Sequence, residues 1–407
     1  MYIPRHLEKA ISQLEKMFGS ILITGARQVG KTTLLKRVKP DLSYVTLDDP
    51  ILLRSASEEP GTFFKITPPP LVVDEIQYAP GLFPYIKMIT DAGGGKGQFF
   101  LSGSQQFQMM KNVSESLAGR IGMLTLMGLS LREIKGSGCF TPFIPTETYL
   151  HGRKQNLSSV SYPEVWKIIH RGSMPAMYTG DAMDWQMFYA AYTKTYIERD
   201  VRELTQVGDE VKFLNFMTSI AASSGQLLNL ASTSRDVGIS QPTVERWLGI
   251  LRASNLVFLL RPFHTNVTKR AVKTPKLYFM DTGLAAYLTR WNTPEVLQNG
   301  AMAGAFFETF VVGEIIKSYA NSGILDPPLY FYRDKEQHEI DLLIQEGTTL
   351  HPIEIKKSAD PDPRDISAFG FLDKIPGIQR GSGGVVCMYD RLLPLKGEDQ
   401  VIPISCL

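Results

Sequence analysis

The stretch ILITGARQVGKTTLL, residues 21–35, has the spacing of a phosphate-binding loop and thereby predicts the fold of the N-terminal region. Gly25 is followed after four residues by Gly30, Lys31 and Thr32, between an apolar run and a helical pattern. The glycines allow the backbone to curl with its N–H groups inward, and these donors attract a polyphosphate together with the N-terminus of the next helix. The predicted loop consists of Gly25, Ala26, Arg27, Gln28, Val29, Gly30, Lys31, Thr32 and Thr33.

Two side chains of this loop have predicted roles. Lys31 has the length to reach the β- and γ-phosphates of a nucleotide, and Thr32 has a hydroxyl that can bind Mg²⁺. The alternative is a glycine-rich turn with a surface lysine. Two further motifs downstream favour the phosphate-binding loop, because they follow apolar runs at suitable places in the chain.

The N-terminal region alternates short apolar runs with helical patterns, which indicates βαβ units and a parallel sheet. The predicted fold class is therefore α/β, with a first domain at residues 1–135. The predicted strands are 20–25, 43–49, 70–75, 97–103 and 121–129.

The first downstream motif is PLVVDEIQ, residues 70–77, an apolar strand that ends in two acids. Asp74 is predicted to hold Mg²⁺ through water, and Glu75 is predicted to orient the attacking water. The alternative is an acidic turn after a buried strand.

The second downstream motif is FFLSGSQQF, residues 99–107, which is another apolar strand followed by polar residues. Ser104 is predicted to sense the γ-phosphate from the neighbouring strand. Ser102 and Gln105 are competing candidates for that role, and an ordinary turn at the end of a strand is a further alternative.

Composition sets limits on the class of protein. The chain has 407 residues, enough for two to four domains, and its 43 Lys and Arg nearly balance 41 Asp and Glu. Its global charge therefore favours no particular partner. The three cysteines, Cys139, Cys387 and Cys406, show no zinc or disulfide spacing. With no apolar run near the ~20 residues of a membrane span and no signal-peptide pattern, we expect a cytoplasmic location and no membrane partner.

The middle of the chain contains a predicted helix-turn-helix. Residues 136–160 are rich in Gly, Pro, Ser and Thr, and a helical stretch follows, so 136–210 is predicted to be a linker and helical region. In the next predicted domain, 211–280, a helix ends at Gly238 and Ser240 caps another helix. The second helix has a buried stripe at Val244, Trp247, Leu248 and Leu251.

A strand pattern after the second helix completes the order of a winged helix. The exposed positions of that helix are Gln241, Thr243, Glu245 and Arg246. Gln, Thr and Arg suit contacts to DNA, whereas Glu does not. The following segment carries a basic run with no acid, namely Arg261, Lys269, Arg270, Lys273 and Lys276. DNA is therefore the predicted partner, and a protein-contact or lid module is the alternative.

Charged residues share one face of a predicted hairpin near the C-terminus. The segment 331–347 contains a predicted strand with Asp341 at its centre. Its predicted partner, 350–358, carries Glu354 and Lys356 two residues apart, so both side chains point to the same side. A plain amphipathic hairpin is one explanation of this pattern.

An acid also lies within an apolar helix that is predicted upstream, at 305–319. A charge in such surroundings requires a partner or a metal, and Glu308 is that acid. The order of a helix acid, a strand Asp and a Glu-x-Lys resembles the PD-(D/E)xK nuclease superfamily. The resemblance implies an α/β nuclease-like domain at 281–407.

In that resemblance, Asp341 and Glu354 share a Mg²⁺ as oxygen ligands. Lys356 orients the metal-bound water, and Glu308 supports the metal or the lysine, with Glu314 as a rival for the last role. A nuclease-like fold that binds without cutting is the alternative to cleavage.

The N-terminal motifs resemble the AAA+ superfamily of ATPases, which implies ATP and Mg²⁺ as cofactors. Members of that superfamily often form rings in which an arginine of one subunit completes the site of the next. Arg120, in SLAGRI, stands where the superfamily carries such an arginine. A salt-bridged surface arginine is the alternative. A homo-oligomer, with a ring as one form, is expected.

The order of the whole chain resembles a widespread prokaryotic family that joins an AAA+ ATPase to a winged helix and a nuclease-like domain. The motifs ITGARQVGKTTLL, VVDEIQ, LSGSQ, YIERDV, DTGL, FFE, EIDLLI and IEIKKS carry this resemblance. In YIERDV, Arg199 is predicted either to reach the nucleotide as a second sensor or to form a structural ion pair with Asp200. The predicted function is an ATPase that acts on DNA. The alternative is an ATP-controlled switch or adaptor without nuclease activity.

Overall fold

A computed structural model describes most of the chain. The described residues are 2–93, 95–103, 117–138, 141–155, 160–180, 183–196, 210–265 and 274–407. Several predicted site residues lie outside these ranges, namely Ser104, Gln105, Arg199, Asp200, Lys269, Arg270 and Lys273.

The N-terminal region forms a parallel sheet of five strands, as predicted. The strand order is β2-β3-β4-β1-β5, and every neighbouring pair is parallel. The strands are β1 Ser20–Thr24, β2 Ser43–Thr46, β3 Leu71–Asp74, β4 Phe99–Ser102 and β5 Ile121–Thr125. Each lies within the predicted run, and the mixed α/β fold class is confirmed.

Apolar side chains cover both faces of this sheet, because successive residues of a strand point to opposite sides. In β1, Ile21 and Ile23 pack into one hydrophobic core, and Leu22 packs into another. The helices of this region that contribute to the two cores are Leu7–Leu14, Lys31–Val38, Pro50–Glu58, Pro60–Ile66 and Leu82–Asp91. A short 3-10 turn, Ile76–Tyr78, follows β3.

A short helix, Leu131–Ile134, ends the predicted first domain. The region predicted as linker and helices contains the packed helices Glu147–Gln155, Tyr162–Arg171, Ala176–Thr179 and Trp185–Tyr196. Phe143 and Leu150 are fully buried, so the segment predicted as a linker packs against the body of the protein. Gly172 divides the predicted helical stretch, because its φ of 83° is left-handed and a Cβ there would lie 2.3 Å from the Tyr189 hydroxyl.

The next region has the predicted order of helices and strands. The helices are Glu210–Ala222, Leu230–Val237 and Gln241–Ala253, and the strands are β6 Gln226–Leu227, β7 Val257–Pro262 and β8 Lys276–Phe279. The Ser240 side chain accepts a hydrogen bond of 3.3 Å from the Thr243 N–H, which is the predicted cap. Gly238 ends the preceding helix with a φ of 71°. The assignment of these elements as a winged helix stays a prediction.

A second, mixed sheet crosses the predicted boundary at residues 280 and 281. Its order is β14-β15-β13-β11-β10-β9-β7-β8-β6, and β12 pairs beside this path with β11. The parallel pairing of β7 with β9 joins the middle region to the C-terminal region. The later strands are β9 Leu329–Arg333, β10 Glu339–Glu346, β11 Thr349–Lys356, β12 Gln379–Arg380, β13 Gly384–Cys387, β14 Leu393–Lys396 and β15 Asp399–Pro403.

One long helix, Ala303–Asn321, is buried on nearly all sides and packs against this second sheet. The other elements of the C-terminal region are Thr282–Leu288, Pro294–Asn299, and the 3-10 segments Pro363–Lys374 and Ile404–Cys406. Within the part of the chain that is described, no helix combines the length and apolarity that a membrane span requires.

Candidate functional site

The phosphate-binding loop has the backbone that its glycines predict. Gly25 has a φ of 145°, and a Cβ at this position would lie 2.1 Å from the Leu126 carbonyl oxygen. Gly30 has a φ of 94° and precedes the helix that begins at Lys31. Both positions therefore require glycine. The loop follows the carboxyl end of β1 and leads into a helix N-terminus, which is the geometry that binds phosphate.

The Lys31 ammonium lies against its own loop. It donates hydrogen bonds to the carbonyl oxygens of Gly25, at 3.0 Å, and Ala26, at 2.9 Å. The residue is 7% exposed. The amine is thus held inside the curl of the loop, at the place where a bound polyphosphate would meet it.

Asp74 accepts hydrogen bonds from three hydroxyl groups at the carboxyl edge of the sheet. Thr32 donates at 2.6 Å and Tyr44 donates at 2.8 Å, both to Oδ2. Ser102 donates to Oδ1. These residues meet because the loop after β1 and the ends of β3 and β4 lie side by side.

These oxygens fit the predicted Mg²⁺. A hydroxyl and a carboxylate are hard oxygen ligands, and in this type of site they hold the metal directly or through water. Tyr44 was not singled out by the sequence. Burial, followed by the hydrogen bond to Asp74, raises the pKa of its phenol, so the hydroxyl remains a donor. The contact arises because β2, which carries Tyr44, pairs with β3, which ends at Asp74. The sequence indicated only that Tyr44 lies in a predicted strand.

Glu75 turns away from the strand that precedes it. Its φ of 57° is left-handed, which is uncommon for a residue with a side chain. The Gln77 side-chain amide donates to the Glu75 carboxylate. The predicted water-orienting acid is thus positioned by a buried neighbour two residues later.

The third motif is described only in part. Ser102, one of the competing candidates for the γ-phosphate sensor, reaches Asp74. Ser104, the preferred candidate, lies outside the described residues. Its predicted role therefore stays a prediction.

Arg120 is at the opposite end of the sheet from the loop. It immediately precedes β5, whose carboxyl end lies at the phosphate edge, and a five-residue strand spans roughly 16 Å. The Arg120 Nε lies 2.5 Å from the Asp91 Oδ1, and both side chains are exposed. This hydrogen bond is the main cause that lowers the pKa of Asp91. Arg120 is therefore remote from the phosphate-binding loop of the same chain, and its role in a neighbouring site stays a prediction.

Arg5 connects the loop to the segment after β5, and no sequence motif pointed to it. Its guanidinium donates to the carbonyl oxygens of Val29, at 2.8 Å, and Met127, at 2.7 Å. It also pairs with the buried Glu133 at 3.1 Å. The only signal in the sequence was a charged residue in an N-terminal segment that otherwise begins an amphipathic helix.

A second buried contact ties the loop side of the first sheet to the helix Ala303–Asn321. Glu314 accepts a hydrogen bond of 2.7 Å from the Leu131 N–H and pairs with Lys317 at 2.8 Å. Lys317 also donates to the Leu129 carbonyl at 2.9 Å. Glu314 therefore faces the N-terminal region. The prediction that it could replace Glu308 in supporting the metal or the lysine is wrong.

The DTGL motif contributes a further buried contact, between Asp281 and the residues after the helix Tyr162–Arg171. Asp281 accepts hydrogen bonds from the Ser173 N–H and hydroxyl and from the Tyr189 hydroxyl, at 2.7 to 2.8 Å. The Leu129 N–H donates to the Ser173 carbonyl at 2.7 Å. The segment after β5 is thereby held from two sides.

A buried lysine occupies the predicted C-terminal site. The Lys276 ammonium lies 2.6 Å from Glu339, 3.1 Å from Glu308 and 3.5 Å from Asp341. Its side chain is 4% exposed. Lys276 was predicted to belong to the exposed basic run, and that prediction is wrong because its strand position turns the side chain toward these acids. Tyr278, two residues later on the same strand, donates to Glu308 at 2.7 Å.

The remaining predicted residues lie on β10 and β11. The Ile355 N–H donates to the Asp341 Oδ2 at 2.9 Å. Lys356 pairs with the Glu354 Oε1 at 2.8 Å, whereas the buried Oε2 has no hydrogen-bond partner among the residues that the structure describes. The register of β9 with β10 shifts between Ile340 and Leu343, and Asp341 lies in this interval.

Burial is the main cause of the electrostatics at this site. Burial, followed by the charge of Asp341, raises the pKa of Glu308 to about 7 and that of Glu354 to about 8. Lys276 and Lys356 act in the opposite direction. The two glutamates therefore hold their protons more strongly than exposed acids do.

The cluster does not have the geometry of a three-acid metal site. In the described part of the chain, Glu308, Asp341 and Glu354 do not form a group whose donor atoms all lie within 4.8 Å of one another. Lys276 lies among the acids instead. The residues present thus do not fit the predicted Mg²⁺ at this second site.

Comparison with known protein families assigns the class of the N-terminal region. Residues 18–135 match the family described as AAA domain. This region therefore has the fold of an AAA-type P-loop ATPase, a fold that supports ATP binding and hydrolysis. Residues 162–295 and 303–407 match two families described as domains of unknown function, DUF8612 and DUF4143.

Relatives extend over most of the chain. An uncharacterized protein of Mycobacterium tuberculosis (strain ATCC 25618 / H37Rv) is 28% identical over 355 residues, which cover 84% of this chain and 71% of that protein. An uncharacterized protein of Mycobacterium bovis matches to the same extent.

Two solved structures have similar elements. The Walker-type ATPase PABY2304 of Pyrococcus abyssi is 15% identical, with a TM-score of 0.42, over 69% of this chain and 94% of that chain. The RuvB Holliday junction branch migration motor of Thermotoga maritima is 14% identical, with a TM-score of 0.29, over 62% and 88%. Similarities at these scores do not bear on function.

Proposed function

We propose that this protein is a Mg²⁺-dependent AAA+ ATPase that acts on DNA through its helix-turn-helix region. The observation that carries the ATPase part is the meeting of Thr32 and Asp74 beside the phosphate-binding loop. It brings the two expected oxygen ligands to one place, within reach of a helix N-terminus. Mg²⁺, when bound, would neutralise phosphate charge between these oxygens.

The residues of this chain would then divide the work of hydrolysis. The loop N–H groups bind the phosphates, and the Lys31 ammonium leaves its carbonyl partners to pair with the β- and γ-phosphates. Glu75 orients a water for in-line attack and accepts its proton. Release of Gln77 from Glu75 would accompany that step.

Substitution of Lys31 tests the ATPase proposal. Lys31→Ala should lower ATP hydrolysis at least a hundredfold in a phosphate-release assay, because the charge on the β- and γ-phosphates loses its counter-ion. Lys65→Ala, an exposed lysine on another helix, is the matched control and should retain the wild-type rate. An unchanged rate in Lys31→Ala would contradict the proposal.

The DNA part rests on exposed polar and basic side chains of the helix Gln241–Ala253 and of β7. The side chains of Gln241, Arg246, Arg252 and Arg261 are exposed. Glu245 is also exposed on this surface and opposes phosphate binding. Because Lys276 is buried, the surface has one basic residue fewer than predicted.

A salt titration tests the DNA part. Affinity for duplex DNA should fall steeply with salt, and Arg246→Ala should reduce the slope by about one, because it removes one phosphate contact. Arg54→Ala, an exposed arginine of the N-terminal region, is the control. An affinity that does not change between low and moderate salt would favour the alternative, an ATP-controlled switch or adaptor that binds a protein.

We also propose that the nucleotide state reaches the C-terminal region through the helix Ala303–Asn321. Near one end, Glu308 lies in the Lys276 cluster, and farther along, Glu314 and Lys317 contact the segment that follows β5. A shift of that segment on ATP binding would move a helix that is packed into the second sheet.

We also propose that the protein assembles as a homo-oligomer. Arg120 is exposed at the end of the sheet that is remote from its own loop, so it is available to a neighbouring subunit. In a ring, that arginine would complete the neighbour's phosphate site.

A further inference from the structure

We propose that the Lys276 ammonium is a built-in replacement for a divalent cation. It occupies the position among Glu308, Glu339 and Asp341 where the nuclease-like site would need a metal, so this site binds no metal in the native protein. The inference does not depend on the ATPase and DNA activities proposed above. It concerns only what neutralises the acids of the second sheet.

The Lys276 ammonium and a metal would compete for the same carboxylate oxygens. The ammonium contacts three carboxylates at 2.6 to 3.5 Å. A Mg²⁺ would bind such oxygens at about 2.0–2.1 Å and would keep several waters. The ammonium and a metal with its waters do not fit among these carboxylates together.

Other groups already hold most of the oxygens that were predicted as metal ligands. One oxygen of Asp341 faces Lys276, and the other accepts the Ile355 N–H. One oxygen of Glu354 is bound to Lys356, and the buried Oε2 has no hydrogen-bond partner among the described residues. A Mg²⁺ held by Asp341 and Glu354 would have to displace a lysine ammonium from each of them.

Lys276 is held in place by its strand and by its acidic partners. Its backbone pairs with Leu227 on β6 and with Leu260 on β7, so both neighbouring strands hold it. Removal of the ammonium from its partners would leave partly buried carboxylates without a counter-ion, which is costly. The lysine is thus a fixed part of the centre.

The Lys276 cluster also connects the middle region of the chain to the C-terminal region. Lys276 lies on β8, and its three acidic partners lie on the helix Ala303–Asn321 and on β10. The internal ion cluster therefore joins the strand pair of the middle region to the C-terminal region. A metal site at this point would have left the two regions without this direct link.

Removal of the lysine side-chain charge should uncover a latent metal site, because the acids that the ammonium now separates can then close on a divalent cation. In the chain that carries Lys31→Ala, without nucleotide, Mn²⁺ binding is measured by titration calorimetry. The Lys276→Met variant keeps most of the side-chain length and loses the charge. It should bind one additional Mn²⁺ at least tenfold more tightly than its parent, and addition of Asp341→Asn should abolish the gain.

Two controls make the result specific. Lys356→Met leaves Lys276 in place and should gain no Mn²⁺, whereas Lys276→Arg retains a cation and should also gain none. Mn²⁺ should raise the Tm of Lys276→Met by more than it raises that of its parent. This shift also shows that the metal binds the folded state.

The inference is overturned if the parent already binds Mn²⁺ and Asp341→Asn or Glu354→Gln abolishes that binding. It is also overturned if Lys276→Met folds, as judged by circular dichroism, and gains no Mn²⁺. If Lys276→Met does not fold, Mn²⁺ binding by the parent, with and without Asp341→Asn, tests the inference. Mn²⁺ binding that Asp341→Asn leaves unchanged supports the inference, and binding that Asp341→Asn removes refutes it.

Discussion

The Thr32 hydroxyl donates a hydrogen bond of 2.6 Å to Asp74, a residue 42 positions later in the chain. The contact joins the first turn of the loop helix to the end of β3, and the sheet order places these two elements close together. Substitution of Thr32 therefore tests directly whether this edge of the sheet holds Mg²⁺ for ATP hydrolysis.

Thr32→Val should remove the metal-binding hydroxyl while nearly preserving its volume. We expect the maximal rate of Mg²⁺-dependent ATP hydrolysis to fall at least tenfold, because Asp74 then lacks its partner in holding the metal. Mg²⁺-dependent phosphate release over a range of ATP concentrations measures this. Thr62→Val, on an exposed face of another helix, should keep the wild-type rate. Equal rates in both variants would refute the role of Thr32.

The two serines of the third motif should have different effects. Ser102→Ala removes a donor to Asp74, so we expect a several-fold rise in the Mg²⁺ concentration that gives half-maximal hydrolysis. Ser104→Ala should instead lower the maximal rate of ATP hydrolysis, because Ser104 is the predicted γ-phosphate sensor. Steady-state kinetics with varied Mg²⁺ distinguish the two. A full rate in Ser104→Ala together with a lost rate in Ser102→Ala would transfer the sensor role to Ser102.

Mixed oligomers should reveal whether Arg120 acts on a neighbour. If it does, addition of Arg120→Ala subunits to wild type should lower the ATPase rate by more than dilution predicts, because each variant leaves the next site incomplete. Asp91→Asn breaks the surface ion pair and keeps the arginine, so it should remain near the wild-type rate. A decrease that matches dilution alone would favour the surface ion pair.

The buried pair of Glu314 and Lys317 should matter for stability. Lys317→Met leaves the Glu314 charge buried beside the Leu131 N–H, and we expect the free energy of unfolding to fall by about 3 kcal/mol. The double variant Lys317→Met/Glu314→Gln should recover part of this loss, because no unpaired charge remains. Urea unfolding followed by circular dichroism measures both. A double variant that is less stable than Lys317→Met would contradict the prediction.

The raised pKa of Glu354, about 8 against an ordinary value of 4.5, makes a prediction about pH. The folded state then binds more protons than the unfolded state between about pH 4.5 and 8, so the contribution of this group to the free energy of unfolding falls as pH rises through that window. Glu354→Gln cannot ionise and should have a flatter pH dependence. Unfolding at pH 5.5 and 8.5 measures the slope. Glu346→Gln, exposed on β10, should follow the wild type; a wild-type slope in Glu354→Gln would contradict the assignment.

Much of the first site was predictable because its signals are local. Strand alternation, the spacing of glycines before Lys31, and acids at the end of an apolar run each depend on residues that are adjacent in sequence. The parallel order of strands then brings Thr32 and Asp74 to one edge. Tyr44 and Arg5 escaped prediction, because their contacts depend on which strand and segment are neighbours in space.

The second site shows the limit of the same reasoning. By its place in the chain, Lys276 follows a run of basic residues, so the sequence grouped it with an exposed surface. Its partners are 32, 63 and 65 positions later, on a helix and a strand of the next region. No local pattern in the sequence reports such contacts.

The phosphate-binding loop, the α/β class and the strands of the first sheet follow from the local sequence, because backbone preferences and hydrophobic periodicity act over a few residues. The burial of Lys276 among Glu308, Glu339 and Asp341 follows only from the three-dimensional fold. The physical reason is that the environment of a charge depends on all the groups around it, and these groups come from distant parts of the chain.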